Sequence, residues 1–306
     1  MKRHFDDILL GSIELFCLAA ECGSFTAAAQ EAGITPAAVS RSVSRLEERL
    51  GVRLFTRTTR NINLTAAGKS YYHQSHQALQ QLLEAERDVM GKQNVPSGTL
   101  RISLPTTYGH YRILPLLPLF REKFPDVKVD IHLSNRNVDF VSEGYDIAIR
   151  VRAQPDSTLI ARPLEDAKMV VVASPAYLAR FPEPQTLDEL TQHECIQFEL
   201  PSNGRNIPWI FFDQGKEREM LTKGSYCCSD DVLGGVTLAL NGAGVFQTYH
   251  FIAERYLHEG SLKEILPQYR GRSRPYTLLY PLNRHLPLRV KVFIDFLMTQ
   301  RQKWQC

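Results

Sequence analysis

Capping signals in the stretch Gly23–Arg60 constrain the fold of this chain more than any other feature. Ser24 can cap a helix through its hydroxyl, and the alanine-rich run that follows ends at Gly33, which tolerates the left-handed backbone conformation at a helix C-terminus. Thr35 and Pro36 then supply the N-cap and the first position of a second helix, where the missing N–H of proline costs nothing. The stretch therefore predicts two short helices joined by a tight turn.

The second predicted helix, Pro36–Leu50, has two different faces. Its apolar residues recur at steps of four, three and four and form one stripe: Val39, Val43, Leu46 and Leu50. The other face carries hydroxyl and guanidinium groups, on Ser40, Arg41, Ser44, Arg45 and Arg49. Between Thr35 and Ser70 there are seven basic residues against two acidic ones, although all 306 residues together have a formal charge of only +3. Such a helix suits the major groove of DNA, where arginine binds guanine edges and hydroxyls contact phosphates; a solvated basic hairpin is the alternative.

The residues after this helix predict a two-stranded wing with a basic tip, which favours the DNA-binding interpretation. The apolar pair Leu54 and Phe55 precedes the basic segment 57–60, and Thr65 then caps another helix. We therefore expect DNA contacts from both short helices and from the wing. The expected set is Ser24, Thr26, Thr35, Pro36, Ala37, Ser40, Arg41, Ser44, Arg45, Arg57, Thr58 and Arg60.

A long helix is predicted from about Thr65 to Lys92, and one of its faces repeats like a coiled-coil seam. The residues on that face are uncharged and recur at steps of four and three: Tyr71, Ser75, Ala78, Leu82, Ala85 and Val89. Packing against the protein's own body would also explain this face. A seam on a helix that leaves a DNA-binding head nevertheless favours a homodimer, with Tyr71, Ala78, Leu82, Ala85 and Val89 at its interface. The segment Gly91–Gly98 then breaks the helix and predicts a hinge.

Strands alternate with helices beyond Gly98, and this pattern predicts an α/β fold. Ligands of such folds bind at the carboxyl ends of strands. Thr106 and Thr107 follow the first strand at the start of a helix, where hydroxyls and backbone N–H groups suit an anion. The candidate ligand-binding residues are Thr106, Thr107, Ser134, Asn135, Arg150, Arg152, Phe198, Gln247 and Thr248. For each of them a helix cap or a solvated side chain is the alternative interpretation.

The ordered combination of motifs over about fifty residues closely resembles the winged helix-turn-helix of LysR-type transcriptional regulators. The matching pieces are Gly23-Ser24-Phe25-Thr26, Ala28-Ala29, the run Pro36–Arg41, Leu46-Glu47, Leu50-Gly51, Leu54-Phe55, Arg57, Leu64-Thr65 and Ala67-Gly68. The rest of the chain resembles the family more loosely. The resemblance implies a winged head over residues 1–64, a linker helix and hinge over 65–97, and an effector domain over 98–306. That domain would have two α/β lobes, like a solute-binding protein, with a cleft between them.

This resemblance also implies partners. A family member binds double-stranded DNA as a dimer or a tetramer and responds to a small molecule, which the threonines and arginines named above predict to be anionic. RNA polymerase is a further candidate partner. Arg152 departs from the glycine common in the family, so it either adds a charge to the cleft or faces solvent.

Nothing in the sequence predicts an enzyme, a cofactor or a metal site. The nine histidines form no HExxH motif, and His73 and His76 lack a third ligand nearby. We find neither a phosphate-binding loop nor a Gly-x-Ser-x-Gly elbow.

The N-terminus and the cysteines predict a reduced, cytoplasmic protein. Acidic residues interrupt the first apolar run, which argues against a signal peptide, and no apolar stretch reaches the roughly 18 residues of a membrane span. The six cysteines show no disulfide framework. A redox sensor acting through Cys195, Cys227 and Cys228 is the alternative function, although acidic neighbours would raise the pKa of Cys195 and Cys228.

Overall fold

The computed structural model of the chain describes residues 10–57, 62–89, 95–136, 143–151, 159–199, 204–271, 273–282 and 286–304. Thr58, Arg60 and Arg152 lie outside the described residues, and so do the side chains of Arg57, Ala85 and Val89. The chain divides into two compact units between Val95 and Pro96.

The N-terminal unit is the predicted winged helix-turn-helix followed by a long helix. Its elements are α1 (Leu10–Cys22), α2 (Phe25–Ala32), α3 (Pro36–Leu50), β1 (Phe55–Arg57), β2 (Ile62–Leu64) and α4 (Ala66–Val89). Strands β1 and β2 pair antiparallel, with Phe55 opposite Leu64. They form the wing.

The predicted caps set the ends of the two short helices. The Ser24 hydroxyl accepts hydrogen bonds from two backbone N–H groups of α2, and the Thr35 hydroxyl accepts one from Ala38 at 3.2 Å. Gly33 and Gly51 end α2 and α3 with φ angles of 67° and 69°, which favour glycine. The helix predicted over residues 36–50 is confirmed, and its apolar stripe forms the core of the head with residues of α1 and β1.

Eleven described strands and six described α-helices follow in the C-terminal unit. The strands are β3 (Gly98–Leu104), β4 (Val127–Leu133), β5 (Ile147–Val151), β6 (Leu159–Ala173), β7 (Gln197–Glu199), β8 (Trp209–Asp213), β9 (Lys216–Met220), β10 (Cys227–Ser229), β11 (Phe246–Tyr249), β12 (Lys263–Ile265) and β13 (Ser273–Pro281). The α-helices are α5 (Thr106–Tyr108), α6 (Leu117–Lys123), α7 (Pro175–Leu178), α8 (Val232–Leu240), α9 (His250–His258) and α10 (Leu288–Gln300).

One long strand joins two lobes of this α/β unit. The sheet order is β11-β6-β13-β5-β3-β4, with β12 also paired to β6. Residues 159–168 of β6 pair with β13 in the first lobe, and residues 169–173 pair with β11 and β12 in the second. The register of β13 against β6 shifts between Tyr276 and Thr277.

The proline-containing stretch between β3 and β4 is an irregular helix. Helix α5 continues into a π-helix over Gly109–Ile113 and a 3₁₀ turn over Leu114–Leu116 before α6 begins. Proline lacks a backbone N–H and clashes with the preceding turn, so an internal proline kinks or interrupts a regular α-helix.

Candidate nucleic-acid interface and effector site

The exposed face of α3 is basic and lies opposite a fully buried stripe. Arg41 and Arg45 are exposed, whereas Val39 and Val43 have no exposed surface. Ser40 and Ser44 are half-buried at the edge of this face. The predicted DNA-contacting side chains of α3 therefore share one accessible face, with exposed Pro36 and Ala37 at its N-terminal end.

Thr26 and Thr35 are exposed and Ser24 is half-buried near the turn between α2 and α3. The hydroxyls of Ser24 and Thr35 already accept hydrogen bonds from helix N–H groups. Each hydroxyl still has a proton that it can donate, and phosphate oxygens accept such bonds.

Glu47 is a functional candidate that sequence reasoning missed. Only 3% of its surface is exposed. Its carboxylate accepts hydrogen bonds from the backbone N–H groups of Leu54 and Phe55 at 2.8 and 3.1 Å. Its spacing offered a signal, because Glu47 follows Val43 by four residues and so lies beside the buried stripe, where an acid needs a partner.

The seam on α4 divides into two parts. Tyr71 packs against Phe16 of α1 with ring centroids 5.6 Å apart, and Ser75 is buried. Further along, Leu82 and Leu83 are 52% and 45% exposed, and Ala78 is exposed as well. The first part therefore packs on the head of the same chain, while the second presents apolar surface.

Thr106 and Asn135 meet at the carboxyl ends of β3 and β4. The Thr106 N–H donates a 3.0 Å hydrogen bond to Oδ1 of Asn135. The amide of Asn135 also donates to the backbone carbonyl of Asp230, which belongs to the second lobe and has a φ of 63°. Asn135 therefore bridges the lobes.

Arg150 and Thr107 are buried in the first lobe. The guanidinium of Arg150 donates to the Ser103 hydroxyl at 2.7 Å and to the Ser103 carbonyl at 3.2 Å. The Thr107 hydroxyl is hydrogen-bonded to the hydroxyl of Tyr276, and burial raises the pKa of that phenol well above its ordinary value. Thr107 thus contacts the strand β13, which pairs with both β5 and β6.

Ser134 follows β4 and is half-buried. Its N–H donates to the Leu104 carbonyl at 2.8 Å, and its hydroxyl accepts a 3.4 Å bond from the Arg136 N–H. These bonds keep the segment after β4 beside the end of β3.

The three candidate residues of the second lobe, Gln247, Phe198 and Thr248, lie in different environments. The Gln247 amide makes two hydrogen bonds with the backbone of Ile210, at 2.9 and 2.8 Å, and so holds β8. Phe198 is half-buried in β7 opposite Cys228. Thr248 is only 1% exposed, and within the described part of the chain its hydroxyl has no hydrogen-bond partner.

A buried ion pair near the junction of the lobes was not predicted. Arg112 donates two hydrogen bonds of 2.9 and 3.0 Å to Glu165, which is 6% exposed on β6. The guanidinium also lies 4.8 Å from the ring centroid of Phe251 in the second lobe. Tyr108 stacks on Tyr276 at 4.0 Å beside this pair.

The cysteines of the effector domain lie in different environments. Burial, with a smaller contribution from Glu194, raises the pKa of the Cys195 thiol to about 12. Burial also raises the pKa of half-buried Cys228, whereas Cys227 is exposed. A high thiol pKa leaves little thiolate at neutral pH, and thiolate is the reactive form.

Over the described ranges, no group of three or more His, Cys, Asp or Glu side chains could hold a metal ion. The same residues contain no helix that is long and apolar enough to span a membrane.

The winged head, the partly exposed seam and the two-lobed α/β unit define a DNA-binding regulator with a ligand-binding domain. Two family models match the chain. The bacterial regulatory helix-turn-helix protein, lysR family, matches residues 10–69, and the LysR substrate binding domain matches residues 93–302. The chain belongs to the LysR family of transcriptional regulators.

Relatives and solved structures agree with this assignment. The Klebsiella pneumoniae protein described as probable HTH-type transcriptional regulator LtrA is 35% identical over 297 residues, covering 94% of each chain. CrgA from Neisseria meningitidis, a LysR-type transcriptional regulator, has a TM-score of 0.61 at 30% identity, covering 95% of this chain and 98% of its own. The Vibrio cholerae virulence activator AphB has a TM-score of 0.60 at 29% identity, covering 95% and 99%. These relatives are described as regulators, not as enzymes.

Proposed function

We propose that α3 enters the major groove of an operator while the wing reaches the adjacent backbone or minor groove. The observation that carries this proposal is the exposed basic face of α3, which lies opposite a stripe of Val39, Val43 and Leu46 with no exposed surface. Arg41 reads a base, and the wing arginines bind phosphates. The chain is a regulator that catalyses no reaction and works in the cytoplasm.

The exposed part of the α4 seam pairs with a second copy of the chain. Burying the exposed apolar surface of Leu82 and Leu83 against a symmetry mate stabilises the dimer. A dimer, or a dimer of dimers, then holds two heads on one interrupted palindrome, and RNA polymerase is a further partner.

A small anionic metabolite binds between the lobes of the effector domain. Support comes from the polar groups gathered at the carboxyl ends of β3, β4 and β5, where Thr106 contacts Asn135 and Arg150 is buried. A ligand that replaces the Asn135–Asp230 contact changes how the lobes are joined. That change reorients the heads and alters DNA bending or polymerase contact.

Genome-wide mapping of bound sites, together with selection from random duplexes, tests the DNA assignment. We expect one enriched interrupted palindrome, with half-sites separated by whole helical turns. Neighbouring genes would then suggest the metabolite. Enrichment of single, non-palindromic sites would contradict the dimeric mode.

Thermal unfolding with a panel of small carboxylates and matched neutral amides tests the effector site. A carboxylate that binds the native protein raises Tm, and Thr106→Val should reduce that rise. If operator binding instead responds to peroxide and loses this response in Cys195→Ser or Cys228→Ser, the redox alternative is correct.

A further inference from the structure

The segment Arg53–Phe55 connects α3 to the wing, and α3 holds its N–H side. Oε1 of Glu47 accepts hydrogen bonds from the Leu54 and Phe55 N–H groups at 2.8 and 3.1 Å. Oε2 lies 3.0 Å from Nη1 of Arg53, whose side chain is 74% exposed. Because Glu47 is buried, its bonds to the backbone are shielded from water, whereas the contact with Arg53 is largely solvated.

The start of the linker helix holds the carbonyl side of the same segment. The Thr65 hydroxyl donates to the Arg53 carbonyl at 2.8 Å, and the Thr65 N–H donates to the Leu54 carbonyl at 2.9 Å. Gly68 packs so closely that an added Cβ would lie 2.0 Å from the Leu54 carbonyl oxygen. The segment 53–55 is therefore held between α3, which we assign to the major groove, and the linker helix α4.

Phe55 is the first residue of β1, so the position of this segment sets the base of the wing. Its ring packs against Phe16 and Phe25 at centroid distances of 5.2 and 5.6 Å. These apolar contacts hold the ring in the core but do not orient the backbone. The bonds from Glu47 do, because a shift of the wing relative to α3 would leave buried N–H groups without an acceptor.

We propose that Glu47, opposed by Thr65, is a positioning residue for DNA binding. It holds the base of the wing at one place on α3, so that the recognition helix and the wing reach the duplex together. This inference rests on the proposed DNA contacts of α3 and the wing. Glu47 itself is buried on the other side of the helix from Arg41 and Arg45 and acts only through the wing.

The test compares operator affinity across a salt series for three variants of the 306-residue chain. Glu47→Met keeps the size of the side chain but removes both acceptors, whereas Glu47→Gln keeps Oε1. Glu48→Met is the matched control, because it removes the same charge from the exposed neighbouring position. For Glu47→Met we expect about tenfold weaker binding and a salt slope lower by about one for each phosphate contact that the wing loses.

Rescue by the conservative variant separates positioning from general destabilisation. We expect Glu47→Gln to restore the wild-type salt slope and Glu48→Met to leave it unchanged. A protein that is merely less folded would bind less in proportion to its folded fraction, with the same slope. An unchanged slope for folded Glu47→Met would overturn the proposal.

Combining Glu47→Met with Arg57→Ala tests the route through the wing. In the wild-type background Arg57→Ala should lower the slope by about one, and in the Glu47→Met background it should lower it no further. An undiminished effect of Arg57→Ala in the double variant would overturn the positioning role alone. Absence of any effect in the wild-type background would overturn the DNA assignment of the wing, and the inference with it.

Thr65 provides the second test if Glu47→Met does not fold. Thr65→Val removes the hydroxyl that donates to the Arg53 carbonyl, and Thr65→Ser retains it. We expect a lower salt slope for the valine variant and the wild-type slope for the serine variant. Equal, wild-type slopes for both variants would overturn the proposal.

Discussion

Neighbouring residues of α3 meet different surroundings, and their roles differ accordingly. Arg41 is exposed on the face that we assign to the groove, whereas Leu46 and Glu47 are buried against the core and the base of the wing. An exposed guanidinium can donate two hydrogen bonds to the edge of a guanine. A buried carboxylate must use its acceptors inside the protein.

Arg41→Ala should therefore reduce specificity more than general affinity. We expect it to cost about 1–3 kcal/mol on the operator and to relax base preference at one position in each half-site. The measurement is affinity for the operator, for its single-base variants and for random duplex. Arg57→Ala is the comparison, because a phosphate contact should weaken all sequences alike. Equal losses on operator and random duplex for Arg41→Ala would contradict a base contact.

The cysteines give a prediction at the same scale. With its pKa raised to about 12 by burial, Cys195 is almost wholly protonated at pH 8, so it should resist iodoacetamide in the native protein. The exposed Cys227 should be alkylated before Cys195. Because thiolate forms as the pH approaches the pKa, any labelling of native Cys195 should still increase above pH 10. Mass spectrometry of the labelled peptides, with denatured protein as control, checks this; rapid labelling of Cys195 at pH 7 would favour the redox alternative.

Among the elements, α4 has different surroundings at its beginning and further along its length. Its first turns pack on the head, where Gly68 touches the Leu54 carbonyl and Tyr71 touches Phe16. Its later turns present Leu82 and Leu83. The described apolar contacts between α4 and the core of the head are made by Tyr71, Tyr72 and Leu79.

Gly68→Ala should destabilise the head although alanine is the better helix former. The general preference favours alanine by about 0.5–1 kcal/mol, but the 2.0 Å approach of the new Cβ to the Leu54 carbonyl oxygen forces the backbone apart. We expect a net loss of about 1–3 kcal/mol, as for other overpacked sites. Gly11→Ala in α1 is the control, since its Cβ would meet nothing within 4 Å. Urea unfolding measures both, and equal stability changes would contradict the steric argument.

At the scale of the whole molecule, the proposed function depends on joining two heads. Leu82 is central in the exposed part of the seam, so a carboxylate there would be buried against its symmetry mate without a partner of opposite charge. Leu82→Glu should shift the protein to monomer and abolish high-affinity operator binding. Gln81→Glu, an exposed neighbour off the seam, adds the same charge and should leave the dimer intact. Sedimentation and operator titration of the two variants measure these effects. A Leu82→Glu protein that remains dimeric would contradict the assignment of Leu82 to the dimer interface.

The sequence by itself determined the head and its basic face. Ser24, Gly33, Thr35 and Gly51 act on backbone groups within a few residues, so their signals mark the ends of α2 and α3 directly. The apolar steps along α3 then identified its buried side. The family resemblance rests on these same residues, and the matching family models confirmed it.

Only the tertiary structure decided which distant groups meet. The Gln247 amide bonds the backbone of Ile210, 37 residues away, and Arg112 bonds Glu165 at a separation of 53 residues. The two parts of strand β6 pair with different strands in the two lobes. Local signals specify the conformation of a segment, whereas these contacts arise when chain folding brings together groups that no short-range pattern relates.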